Sequence, residues 1–287
     1  MIIAVASGKG GTGKTTVSTG LFYYLKKYHY NPVQLVDCDV EEPNCHIFFD
    51  ARQISYIPVT VSMPEVDKER CTFCGKCKKA CAFNAIVMLP AANFIEIVND
   101  ICHACGTCLY VCPENAIREI PGQIGEINNY RWKVDNDFSE GRIKVGNTLQ
   151  TRVIRQTLKY LQEEGIVILD APPGTSCPVV AVVTKADYVV MVTEPTPFGL
   201  YDLKLMTETV RQINIKHGVV INKAGLQFDP LYRYIDNQNI PLIGEIPFSR
   251  EYARLCSEGK ILPAEDQKLG KVFGNIFKNI MNGKGSH

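Results

Sequence analysis

Short, mostly apolar runs recur along the chain, at residues 2–6, 33–37, 166–170, 188–193, 218–222 and 242–246, most of them ending in a polar residue. Runs of this length suit strands covered on both faces. Apolar residues at helical spacing lie between several of them, over 15–28, 149–163 and 200–213. This alternation predicts an α/β fold: a mostly parallel sheet with helices on both faces.

The rhythm breaks from about residue 59 to 121, where cysteines cluster and the segments shorten. The stretch also repeats internally: CTFCGKCKKACAFNAI from Cys71 matches CHACGTCLYVCPENAI from Cys102 in its cysteines, one glycine and the closing Asn-Ala-Ile. We therefore expect a discontinuous α/β domain, residues 1–58 and 122–287, with a small duplicated domain inserted over 59–121.

Composition narrows the function classes. The 287 residues are 46% hydrophobic and 21% charged, ordinary for a globular protein, and the formal net charge of +1 argues against a polybasic nucleic-acid surface. No nucleic-acid partner is expected. No apolar run approaches the roughly 18 residues of a membrane span, and the first strand runs straight into a glycine-rich loop. A cytoplasmic protein is expected. Eight of the twelve cysteines fall in two compact groups, which suits thiolate ligands in a reducing compartment better than disulfides.

The loop GKGGTGKT, Gly8 to Thr15, fits G-x-x-x-x-G-K-[ST] between a strand and a helix. In that setting Gly8, Gly10, Gly11, Thr12 and Gly13 bring backbone N–H groups to phosphates, Lys14 reaches the outer phosphates, and Thr15 ligates magnesium, with Thr16 following in the same cradle. ATP and Mg2+ are the expected ligands. The second lysine, Lys9, is more particular. KGGTGKT resembles the deviant phosphate loop of the MinD and ParA family, which includes the nitrogenase iron protein, and the resemblance covers most of the chain outside the cysteine segment. It implies a P-loop NTPase fold and an ATP-sandwich homodimer in which Lys9 reaches the nucleotide of the other subunit, adding positive charge as an arginine finger does.

The same resemblance assigns further residues. In LVDCDVEEPN, Asp39 would orient the attacking water and Asp37 would stand behind magnesium. In VILDAPPGT, Asp170 would hold a magnesium-bound water and the Gly174 N–H would sense the γ-phosphate. Asn222, in VVINK, matches the position whose amide reads the purine edge.

Cys71, Cys74, Cys77 and Cys81 follow C-x2-C-x2-C-x3-C, and Cys102, Cys105, Cys108 and Cys112 repeat it before Pro113. The runs resemble two-cluster bacterial ferredoxins, in which the fourth cysteine of each run ligates the other cluster. That implies one [4Fe-4S] cluster on Cys71, Cys74, Cys77 and Cys112 and a second on Cys102, Cys105, Cys108 and Cys81. Zinc is the competing ion, although its sites usually come as separated C-x-x-C pairs. Cys38, Cys45 and Cys256 read as small buried hydrophobes. Cys177 resembles in position a cysteine by which the nitrogenase iron protein bridges its dimer, but has no mate here. His103 either tunes a cluster or is a solvated loop residue. Lys76, Lys78 and Lys79 are either a docking patch for an acidic redox protein or a solvated face.

Apolar residues at Val272, Phe273, Ile276, Phe277 and Ile280 form a terminal amphipathic stripe, with Lys271, Lys278 and Lys284 as its charges. MinD proteins bind membrane through such a helix; the sparse charge here suits packing on the sheet instead, and no stable membrane association is expected. The functional expectation is an ATPase that couples its switch motion to electron transfer toward an unidentified redox partner. The alternatives are an iron–sulfur carrier of Mrp type, whose C-x-x-C near the C-terminus is represented here only by the lone Cys256, and a positioning ATPase on membrane or DNA.

Overall fold

The computed structural model describes residues 1–28, 30, 32–132 and 135–283, without the side chains of 135–137; Lys284 lies outside the described residues. The chain begins β1 (Ile2–Ala6), α1 (Lys14–Lys27), β2 (Val33–Asp37) and β3 (Arg52–Val66). The cysteine segment contributes α2 (Lys76–Ala80), β4 (Ile86–Leu89), β5 (Phe94–Ile97) and α3 (Thr107–Tyr110). The chain returns through β6 (Ile117–Trp132), β7 (Asp135–Ile143) and α4 (Gln150–Thr157), and then β8 (Ile166–Asp170), α5 (Cys177–Val183) and β9 (Tyr188–Thr193). It closes with α6 (Pro197–Gln212), β10 (His217–Ala224), α7 (Asp229–Asn237), β11 (Leu242–Pro247), α8 (Arg250–Ser257), α9 (Leu262–Glu265) and α10 (Gln267–Gly283).

Nine strands form one sheet in the order β11-β10-β9-β1-β8-β2-β7-β6-β3. From β11 to β7 neighbours are parallel; β7–β6 and β6–β3 are antiparallel. The mostly parallel sheet is thus as expected, with an antiparallel ribbon added at one edge. Alternate side chains divide between two cores, as strand geometry requires. Ile3, Val5, Leu35, Ile168, Val190 and Val192 pack under α1 and α10. Ala4, Ala6, Val36, Val167, Leu169, Val189 and Met191 pack on the opposite face with α4 to α7. The terminal stripe belongs to the first core: Phe273, Ile276, Phe277 and Ile280 are buried, with the Phe273 ring over Gly20 and Ile276 over Gly244.

The expected boundaries after residues 58 and 121 fall inside β3 and β6, which pair from Arg52–Arg131 to Val66–Ile117. This ribbon carries the cysteine segment away from the sheet. Pro58 and Pro64 lie on β3, the edge strand, where the missing donors blunt unwanted pairing. Where renewed αβ alternation was expected after residue 121, β6 and β7 run on as antiparallel strands before α4. Beyond the ribbon, Cys77, Ile86, Met88, Ile95 and Ile117 form a small apolar cluster of their own. Among the described residues no helix is long and apolar enough to cross a membrane.

Candidate functional site

The carboxyl ends of β1, β2, β8, β9 and β10 converge on the loop between β1 and α1, where ligands of open α/β sheets bind. Gly13 caps α1 in the left-handed region at φ 97°, and a Cβ there would collide with the Asn222 amide. Only glycine fits that approach. Lys14 is buried, and Thr15 and Ser18 donate to the two oxygens of Asp170 at 2.8 and 2.7 Å. Ser18, one turn along α1, was not anticipated.

Asp37 anchors the segment after β2. Its carboxylate accepts the backbone N–H groups of Asp39, Asn44 and Cys45 at 3.0, 2.9 and 2.9 Å. Cys45 is fully buried, as expected, but not merely as a hydrophobe: its Sγ donates to Asp170 Oδ2 at 3.4 Å. The ligand atoms of Asp37, Cys45 and Asp170 all lie within 4.8 Å of one another. Burial, reinforced by mutual repulsion, pushes the Asp37 carboxyl well up, and burial raises Asp170 despite Lys14 and its hydrogen bonds. Asp39 is pushed up to about 6 by burial, against the pull of Lys14. Two buried carboxyl groups beside a threonine hydroxyl offer oxygen ligands that fit a divalent cation, whose charge would offset their repulsion.

The remaining loop residues have partners within the chain. Lys9 Nζ lies 2.8 Å from Glu194 Oε1. The Gly174 N–H donates to Ser7 O at 3.0 Å, so a γ-phosphate would have to displace that bond. Asn222 Nδ2 donates to Thr12 O at 2.8 Å, and Asn222 lines a cavity of about 200 Å³ with Thr16, Phe248, Tyr252 and Cys256. Cys256 Sγ lies 3.7 Å from Thr16 Oγ1, Cys38 is fully buried, and Cys177 is exposed at the start of α5.

Cysteines from the two repeats meet in crossed sets. Cys71, Cys74, Cys77 and Cys112 line one small cavity with Met88, Ile95 and Ile117; Cys81, Cys102, Cys105 and Cys108 line another with Phe83, Ile86 and His103. The duplication extends to the backbone. Asn84 and Asn115 both adopt positive φ, at 54° and 49°, and the next residues, Ala85 and Ala116, each donate an N–H to Cys81 and Cys112 sulfur at 3.3 Å. This accounts for the repeated Asn-Ala-Ile. A single tetrahedral zinc would draw its sulfurs to about 3.8 Å from one another; among the described residues no cysteine trio is within 4.8 Å. Four thiols, apolar walls and N–H groups aimed at sulfur fit an iron–sulfur cluster better. His103 is stacked on Phe83 with centroids 3.6 Å apart, and Lys76, Lys78 and Lys79 are exposed.

The sequence profile of the CobQ/CobB/MinD/ParA nucleotide binding domain matches residues 3–262. The chain belongs to this family. It is a P-loop NTPase of the CobQ/CobB/MinD/ParA class. An uncharacterized protein of Methanocaldococcus jannaschii is 32% identical over 98% of this chain and 96% of its own length. An iron-sulfur cluster carrier protein of Pyrococcus horikoshii is 22% identical over 98% of this chain and 85% of its own. The solved structure of the Pyrococcus furiosus cell division ATPase MinD matches with a TM-score of 0.59 at 20% identity, covering 98% of each chain, a likeness of fold.

Two charged groups at the phosphate loop escaped the sequence reading. Glu194 stands one residue past β9, and Lys223 follows Asn222 with its Nζ 2.7 Å from Glu194 Oε2. The recurrence of polar residues at parallel strand ends was the available signal.

Proposed function

We propose that the chain hydrolyses ATP as a homodimer and uses the accompanying switch motion to govern electron transfer to a partner protein. When bound, two [4Fe-4S] clusters on the crossed quartets supply one-electron carriers of low potential. Lys14 and the loop amides hold the phosphates, Thr15 and Asp170 position Mg2+, Asp39 orients water, and Lys9 enters from the other subunit.

The observation that carries this reading is a register. Asp37, the last residue of β2, pairs with Glu140 of β7, and Glu140 pairs with Asn128 of β6, the strand that leads out of the cysteine segment. A rearrangement at the Asp37–Asp39 corner therefore acts on the ribbon that roots both quartets. Each quartet is complete, with no ligand position left over for exchange, which favours retained clusters.

A second reading is cluster delivery, favoured by the name of the Pyrococcus horikoshii relative. The anaerobic protein decides between them. Cluster reoxidation by an external acceptor and cluster loss to an apo-protein are each measured with ATP, with ADP and in Asp39→Ala. The electron-transfer reading requires ATP to change the reduction potential or the reoxidation rate at constant iron content. Stoichiometric movement of iron and sulfide to the apo-protein, with potential and rate unchanged, would replace it with the carrier.

A further inference from the structure

The lysine that should serve the other subunit is already held at home. Glu194 Oε1 accepts Lys9 Nζ at 2.8 Å and Oε2 accepts Lys223 Nζ at 2.7 Å, so each oxygen of one carboxylate carries one ammonium. The Glu194 side chain is only 11% exposed. Burial alone would raise its carboxyl, but the two ammonium partners outweigh burial and hold it below the ordinary carboxylate range.

The surroundings complete the picture. Lys9 Nζ lies 5.7 Å from the centre of the Phe198 ring, which is 75% exposed at the start of α6. Asp202, on the next turn of α6, adds a second acidic group whose charge interacts with Lys9, and its buried Oδ2 has no hydrogen-bond partner among the described residues. Lys223 sits in the left-handed region at φ 57°, rare for a lysine, with its N–H donated to Asn222 Oδ1 at 2.9 Å. From there its Nζ also reaches within 3.5 Å of the Gly11 carbonyl of the phosphate loop.

We infer that Glu194 is a positioning residue for Lys9: it stows the Lys9 ammonium in the nucleotide-free chain and releases it to phosphate when two chains close, while Lys223 stays behind. The third group gives the device its logic. Removing the only partner of a buried carboxylate leaves an uncompensated charge and is strongly resisted. A carboxylate that carries two ammonium groups can lose one and remain paired. Lys223 thereby lowers the cost of releasing Lys9, and without it Glu194 would hold Lys9 more tightly. The two residues should then act with opposite signs, Glu194 against closure and Lys223 for it.

This inference rests on the reading of Lys9 as a residue that acts on the other subunit, and its test separates the two. Lysine acetylation by an N-hydroxysuccinimidyl ester, read by mass spectrometry on the full nucleotide-free chain, reports whether Lys9 is held without requiring a dimer. Lys9 should react several-fold faster in Glu194→Gln than in wild type, with Glu194→Asp between them. Sedimentation in the Asp39→Ala background then reports closure against ATP concentration. Glu194→Gln should lower the ATP midpoint about tenfold, the scale of one charged hydrogen bond. Lys223→Met should raise it, and the double variant should follow Glu194→Gln. Equal Lys9 reactivity in wild type and Glu194→Gln overturns the inference, as do shifts of both midpoints in the same direction. Absence of ATP-driven dimers in wild type would sink the trans role of Lys9 alone, and the acetylation result would still decide whether Glu194 stows it.

Discussion

His46 Nδ1 lies 3.0 Å from Glu140 Oε2, joining the segment after β2 to the strand beside the cysteine ribbon. Glu140 is fully buried; its other oxygen accepts from Tyr130, Arg142 and Asn128 at 3.0, 3.1 and 3.4 Å. Burial, then the nearby Glu140 charge, raises the Tyr130 hydroxyl well above its usual range. Since His46 follows Cys45, whose N–H is fixed to Asp37, the proposed shift of the Asp37 corner would be transmitted to Glu140 and through it to β6.

Glu140→Gln should therefore uncouple the two halves of the proposed mechanism. Iron content and ATP binding should stay close to wild type, while the ATP effect on cluster reoxidation disappears. Glu140→Ala leaves the Tyr130 hydroxyl and the buried Asn128 amide without their acceptor, while Arg142 and His46 can turn to solvent, and should cost about 1–3 kcal/mol, read as a lowered denaturation midpoint. Persistence of the full ATP effect in Glu140→Gln would exclude this route.

The crossed quartets make a metal prediction. Anaerobically purified protein should hold about eight irons per chain, as two four-iron clusters require. Cys112→Ser should damage the cluster shared with Cys71, Cys74 and Cys77 while sparing the other; Cys81→Ser should do the reverse. Electron paramagnetic resonance of the reduced protein distinguishes these losses. Stoichiometric zinc with little iron would overturn the assignment.

How much of this was legible in the sequence depended on locality. Residues 33–37, 166–170 and 188–193 were bounded as observed, because strands buried on both faces are predominantly apolar runs. The cysteine repeat was legible too, since its glycine and asparagine turns are set by adjacent residues. β6 and β7 were not, because buried Asn128, Ser139 and Glu140 interrupt the apolar signal; Asn128 and Glu140 bond to each other and to Gln53 and Tyr130 on neighbouring strands. The Lys9–Glu194 pair spans 185 residues and follows only from the sheet order. The phosphate-loop motif identified Lys9, and only the fold reveals what holds it.

Asp39 gives the pH prediction. A carboxyl raised from its unfolded value to about 6 binds its proton more tightly in the folded chain. The stability it contributes is complete below its unfolded pKa, near 3.8, and is lost as pH rises through about 6. At pH 7–8 the charged Asp39 is thus a net burden on the nucleotide-free chain. Asp39→Asn should be more stable there by on the order of 1 kcal/mol after solvent screening, equivalent to about 2–4 °C in Tm, and should lose the advantage near pH 4. Hydrolysis should be lost in the same variant. Thermal unfolding across that range checks the sign; an advantage that grows toward low pH would contradict it.

The two loop lysines should fail differently. Lys14 is buried at the head of α1 and in the proposed mechanism serves its own site, so Lys14→Ala should remove productive phosphate binding. Lys9 is partly exposed beside Phe198 and in the proposed mechanism serves a second chain, so Lys9→Ala should retain nucleotide affinity but lose hydrolysis and ATP-driven dimerisation. Mixing supplies the decisive comparison. In a dimer of one Lys9→Ala chain and one Asp39→Ala chain, the site on the first has its own Asp39 and borrows an intact Lys9. The site on the second carries both defects. Each variant alone should be inactive, and the mixture should recover up to half the wild-type rate per mixed dimer, since one of its two sites is whole. Were Lys9 to act within its own chain, both sites would stay defective, and mixed dimers confirmed by mass would show no hydrolysis.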